Sequence, residues 1–324
     1  MNSPLLQNHF KCRQHQSMQE FGETFVENPP KHLERLKIPG RTLLNNNRRD
    51  SVPAYITQTT EIQQTMLDVL NHSITQEAQS STEHAFYKLL KKETSDLGVL
   101  RFFNGWNETH KTTSLISAKI IMRLSADALS VPIDSQINYH NVMAHMHEVA
   151  KDDFGLGHKG HDGMYQHMTA AFGATAWVED QYRIHECNEF SEFLYSTGVA
   201  KHKSAMNSIE HKNSIMDAIM VSIASELWNG REYNFIAQYI EHTLLAINPS
   251  LRNDTQGLRN AKGYVVGHAG EVENKHGLHA LAAAQTYART VGIDFSTVRL
   301  KDIMLNYNHR VGKAFQAMYR ALTS

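Results

Sequence analysis

The chain has 324 residues, 41% of them hydrophobic, with 32 Lys and Arg against 33 Asp and Glu, a formal net charge of −1. A chain of that size buries a full core without staples, and its only cysteines, Cys12 and Cys187, exclude a disulfide framework or a four-cysteine zinc module and fit a reducing, cytoplasmic compartment. The balanced charge gives no footprint for nucleic acid, the first ten residues lack the pattern of a secretory signal, and the best apolar window, 215–228, contains Asp217 and Glu226, so no membrane span is expected.

Five of the seven prolines (Pro4, Pro29, Pro30, Pro39, Pro53) fall in the first 53 residues. They predict a flexible or loosely packed, non-helical extension over 1–55, followed by a single helical domain over 56–324. Within that domain, Ile62, Met66, Val69 and Leu70 recur at helical spacing, as do Ile116, Ile120, Ile121 and Leu124. Breakers place loops at Ser130-Val131-Pro132, at 155–163, at Asn229-Gly230 and over 248–263. The result is an all-α fold of eight to ten helices without a sheet. In the stretch 205–228, Ile209, Met216, Ile219, Met220, Ile223 and Leu227 form one apolar stripe, and Glu226 sits against it. A carboxylate facing a core must be neutral, paired or bound to a metal; the alternative is a place at the stripe's edge, near the helix end, where it reaches water.

Gly155-Leu156-Gly157-His158-Lys159-Gly160 satisfies GxGxxG, but Val142, Met146 and Val149 predict a helix before it, not the strand a dinucleotide fold requires. Neither His147-Glu148 nor His185-Glu186 continues into HExxH. The segment reads better as a helix, a loop and a helix carrying ligands. Asp153 continues the stripe of Val142, Met146 and Val149 and points inward, whereas Glu148 shares a more polar face with Asn141, His145 and Asp152. His161 opens a helical run with Met164, Tyr165 and Met168. The bland alternative is that Asp153 caps a helix and His161 donates to a backbone carbonyl.

The densest cluster runs from His268 to His279. On one helix, His268, His276 and His279 fall within an arc shared with Val265 and Val272, and Glu273 lies three residues before His276. A Glu-x-x-His pair lets one carboxylate and one imidazole bind the same ion in helix-bundle dimetal sites. The step from His268 to Glu273 is one residue too long for a regular helix. A π-bulge over 269–272 would restore the face; a regular helix would turn Glu273 about 140° away from His268 and leave Glu273, His276 and His279. Cys187 is a weak nucleophile candidate, because His185, two positions away, cannot face it on a helix.

An acid before a Gly-x-Gly turn, a His shortly after it, a Glu in a later helix and a final His, acid and His resemble the heme-oxygenase-like diiron oxidases and oxygenases over about residues 95–290. The pattern is carried by Asp152-Asp153-Phe154-Gly155-Leu156-Gly157, His161, Glu226, His268, Glu273 and His276. This chain has Asp153 where the family prefers Glu, and Glu273 where the family has Asp. The resemblance implies a heme-oxygenase-like helical bundle with two iron ions (or manganese), held by Asp153, His161, Glu226, His268, Glu273 and His276 with Glu148 as an additional ligand. It also implies O2 activation and oxidation of a small-molecule substrate; charge and hydropathy add no nucleic acid or membrane partner, and a homodimer is left open. The rival expectation is a metal-free helical protein that binds a small apolar ligand or a partner.

Overall fold

The computed structural model describes residues 15–27, 36–38, 52–53, 56–153, 161–200 and 203–324. Through them run thirteen α-helices: α1 (Met18–Glu27), α2 (Thr59–Leu70), α3 (Ser73–Leu90), α4 (Leu97–His110), α5 (Thr113–Leu129), α6 (Ile133–Asp153), α7 (His161–Ala171), α8 (His185–Leu194), α9 (Ile209–Ala237), α10 (Ile240–Ile247), α11 (Thr255–His268), α12 (Val272–Val291) and α13 (Thr297–Thr323). Among the described residues the chain is all-α apart from a two-residue antiparallel pairing of β1 (Lys37–Ile38) with β2 (Val52–Pro53). No helix among the described residues is long and apolar enough to cross a membrane.

Local chemistry sets several of these starts. Asp96 accepts from the backbone N–H of Val99, Ser208 from that of His211, Asp254 from that of Gly257 and Ser296 from that of Arg299, each capping the helix that follows. The apolar spacings read from sequence become core faces: Ile62, Met66, Val69 and Leu70 on α2, and Ile116, Ile120 and Leu124 on α5, are buried. Val142, Met146 and Val149 are buried on α6, and the segment before the glycine run is a helix, so the GxGxxG match has no strand to follow.

Three boundaries differ from the sequence expectation. Asn229-Gly230 does not end a helix: α9 runs unbroken through it, because a methyl at Gly230 would come 2.5 Å from Asn274 Oδ1, so the glycine serves close helix approach instead of a turn. The expected loop over 248–263 narrows to a 3-10 turn, Pro249–Arg252, after which the Asp254 cap starts α11. The expected single helix from His268 to His279 is interrupted instead of bulged. Gly270 adopts φ +83°, a left-handed conformation that suits glycine and breaks the helix. His268 therefore ends α11, while Glu273, His276 and His279 lie on α12.

The helix α9 is the axis of the molecule. Its residues from Ser214 to Ile236 are almost all buried, not a single stripe, and Ile209 at its start is exposed. Small side chains (Ala218, Ser222, Ala224, Ser225, Gly230) let α5, α11, α12 and α13 pack around it. The helix α6 lies between α5 and α12, and α13 spans α3, α4 and α8. Within the stretch 1–55, α1 docks on α2, α3 and α9 and buries Met18, Phe25 and Val26.

Candidate metal centre

The α9–α12 seam is closed by glycine on both sides. A methyl at Gly277 would approach Leu227 Cδ2 to 2.8 Å and Glu226 Cβ to 3.5 Å, so the bare backbone lets α9 and α12 meet here without displacing Leu227. The seam brings Glu226 of α9 against Glu273 and His276 of α12. His276 Nδ1 lies 3.6 Å from Glu226 Oε2 and 3.6 Å from Glu273 Oε2. One ligand atom from each of the three lies within 4.8 Å of the others, and all three side chains are buried. The Glu226 carboxyl is pushed up to about 8, first by burial and also by the facing Glu273 carboxylate, against the lowering pull of His276. Glu226 thus sits mid-helix in the core, not at the watery edge of a stripe.

His268 closes α11 beside this trio. Its Nδ1–H donates to the Tyr264 carbonyl, and its ring stacks on Tyr233 with centroids 4.9 Å apart. Burial lowers its pKa to about 4, so the imidazole is neutral. On the other flank, His279 Nδ1 meets His145 Nδ1 at 3.2 Å. His279 is pushed down to about 2 by burial first and by His145 next, and its buried Nε2 has no hydrogen-bond partner among the described residues. A cavity of about 120 Å³ opens between Glu148, Lys151, Val272, Lys275, His276 and His279. Glu148 therefore reaches the same space as His276, with its carboxylate held by Lys151 Nζ at 2.6 Å. Asp153 ends α6 and His161 opens α7; their side chains lie outside the described residues.

A second buried carboxylate, not anticipated from sequence, lies on α9. Glu232 accepts from the indole N–H of Trp106 at 2.6 Å and of Trp228 at 2.8 Å, with His110 Nε2 3.4 Å away. Burial raises its pKa, while His110 and the two indoles pull it back. Ending the helix at Trp228 hides Glu232; continued through Gly230, the steps of three and four from Ser225 through Trp228 put Glu232 on the same face as that tryptophan. His145, expected on a polar face, is fully buried because α6 is covered by α5 on one side and α12 on the other. Cys187 is buried with its thiol pushed well above the usual range by burial, and His185 is exposed, which leaves no nucleophilic pair.

Comparison with protein-family models, with curated proteins and with solved structures finds no match for this chain. The chemistry of the site therefore rests on its own geometry.

Proposed function

We propose that the chain is a non-heme diiron oxidase or oxygenase with a heme-oxygenase-like helical bundle, using O2 to oxidise a small organic substrate. The observation that carries this reading is the convergence of Glu226, Glu273 and His276 inside the α9–α12 seam. Among the described residues no lysine or arginine pairs with either carboxylate. Two buried carboxylates so close together both ionise only when a cation lies between them, and a carboxylate and imidazole donor set suits iron or manganese.

His268 fits the same role. An imidazole whose Nδ1–H is held by a backbone carbonyl keeps its lone pair on Nε2, the arrangement common to metal-binding histidines. The orphaned Nε2 of His279 and the Glu148 carboxylate border the cavity that His276 also lines. Glu226, Glu273 and His276 would hold one ion and Asp153, His161 and His268 would supply the second, with Glu148 an additional ligand from the His279 flank, as paired helices do in dimetal bundles. Ferrous iron held there would supply the electrons for O2 reduction.

The chain's own residues set the conditions. Glu226 and Glu273 provide the negative charge that selects a cation, and His276 between them orients both. Trp106, Tyr165, Tyr233 and Tyr264, each nearly inaccessible, wall the site from water on the side of α4 and α7. A reducing, cytoplasmic setting keeps iron ferrous, in keeping with a two-cysteine chain.

The test is anaerobic loading with ferrous iron, elemental analysis, and then exposure to O2. The expected result is about two ions per chain and O2 consumption for the wild type. Glu273→Ala and His276→Ala should lose metal while helical circular dichroism is retained. A protein that retains neither iron nor manganese above trace after reconstitution overturns the reading.

A further inference from the structure

A cavity of about 470 Å³ lies between α1, α9 and α12, separate from the carboxylate cluster. Phe21, Phe25, Leu36 and Leu278 form apolar walls, and Arg231 and Lys275 bring positive charge. Arg231 is unusual: its side chain is only 6% exposed, yet every group that holds it is neutral. Nε donates to the Leu227 carbonyl at 3.1 Å, Nη1 donates to Gln79 Oε1 at 2.7 Å, and the guanidinium lies 5.0 Å from the Trp228 ring centroid. Among the described residues no carboxylate pairs with it, and Nη2 has no protein acceptor. Burial lowers its pKa to about 10, which still leaves it charged near neutral pH. A buried cation without a counter-ion is costly to hold, and a guanidinium clamped at two nitrogens is oriented in advance to receive an anion.

We infer that this cavity is a binding site for a small organic carboxylate with an apolar body, the carboxylate on Arg231 and the body against Phe21, Phe25, Leu36 and Leu278. The volume lies in the range of small-molecule sites, and the lining joins apolar side chains to polar ones and to one buried charged group, Arg231. Bare inorganic anions would engage the guanidinium and leave the apolar walls uncovered. Lys275, exposed at the rim and opposed there by Glu271, adds attraction without deciding specificity. Neither Glu226, Glu273 nor His276 lines this cavity, so the site stands whether or not the seam binds metal.

The test is isothermal titration calorimetry on the metal-free full chain, with phenylacetate and octanoate as probes and phenylacetamide and inorganic phosphate as controls. Both carboxylates should bind, and the amide at least about 30-fold more weakly, the ratio expected when a buried charge pair loses one partner. Arg231→Gln should abolish carboxylate binding. Thr24→Phe, at an exposed position on the cavity wall, should block it with the guanidinium intact, and Lys275→Glu should weaken it severalfold. The inference is overturned if carboxylate and amide bind alike, if phosphate competes as well as the carboxylates, if no carboxylate binds up to millimolar concentration, or if the folded Thr24→Phe protein binds like the wild type. Should Arg231→Gln fail to fold, the Thr24→Phe and amide comparisons decide.

Discussion

Glu226 and Glu232 lie six residues apart on the same helix, both buried, and solve the burial of a carboxylate in opposite ways. Glu232 is surrounded by donors: two indole N–H groups and an imidazole cover both its oxygens. Glu226 faces a second carboxylate, with one histidine for both. The first arrangement is complete within the protein and ties α4 to α9. The second is incomplete without a proton or a cation, which marks it as a binding site instead of a structural joint.

This contrast is broken most severely at Glu232. Glu232→Ala leaves two buried indole N–H groups without acceptors and should cost about 3–5 kcal/mol in urea unfolding, with Glu232→Gln intermediate because one acceptor remains. A loss below about 1 kcal/mol would mean that the indoles find other acceptors and that Glu232 is not the joint described.

Glu226 should behave in the opposite sense. In metal-free protein Glu226→Gln should be no less stable than wild type, and more stable by about 1–3 kcal/mol near pH 8, since it removes a buried like-charge contact. The pH profile sharpens this. With a native pKa of about 8 against an ordinary 4.5, Glu226 holds a proton that the unfolded chain releases, so its contribution is full below 4.5 and is lost as pH rises through about 8. Buried His268, at about 4, and His279, at about 2, act with the opposite sign, and their effect is complete once the pH passes the ordinary histidine value of 6.5. From about pH 7 to 8 the stability of the metal-free protein should therefore fall, by up to about 1.4 kcal/mol per pH unit. Saturating manganese or ferrous iron, or Glu226→Gln, should flatten that slope; thermal or urea unfolding measured across the window checks it. A slope that survives both changes would assign the titration to another group.

The smallest effect is expected at the seam itself. Gly277→Ala would place a methyl 2.8 Å from Leu227 Cδ2, the movable end of a side chain. Overpacking and the better helix propensity of alanine should nearly cancel, leaving unfolding stability within about 1 kcal/mol of wild type. Ion affinity should still fall severalfold, because the seam sets the spacing between Glu226 and Glu273. Unchanged affinity would separate the glycine contact from the metal site.

Much of this was legible in the order of residues. Helical spacing on α2, α5 and α6 was plain because one face of each carries its apolar residues at i, i+3, i+4. The Glu273–His276 pair was legible because it needs only one turn of helix. The α9 axis was harder to read: a helix buried on all sides has no polar face to give it a period, and Gly230 looked like a stop when it was a point of contact. The His268–Glu273 interval resisted for a related reason, since a left-handed glycine can end one helix and begin another without proline or a long polar loop. His145 looked polar by its own helix and is buried by neighbours that its local sequence does not name.

From its sequence alone the chain was determined to be helical, to contain glutamate and histidine at ligand spacing on what became α12, and to hold Glu226 against an apolar face. Those are properties of one helix at a time, set by side-chain periodicity. Only the tertiary structure decided that Glu226 meets Glu273 and His276, that Glu232 is closed off by two tryptophans, and that Arg231 is buried without an anion. The first depends on how closely α9 and α12 approach, a distance set by pairs far apart in the chain, Gly230 with Asn274 and Gly277 with Leu227; the other two depend on side chains that α4 and α3 bring to α9, Trp106 and Gln79.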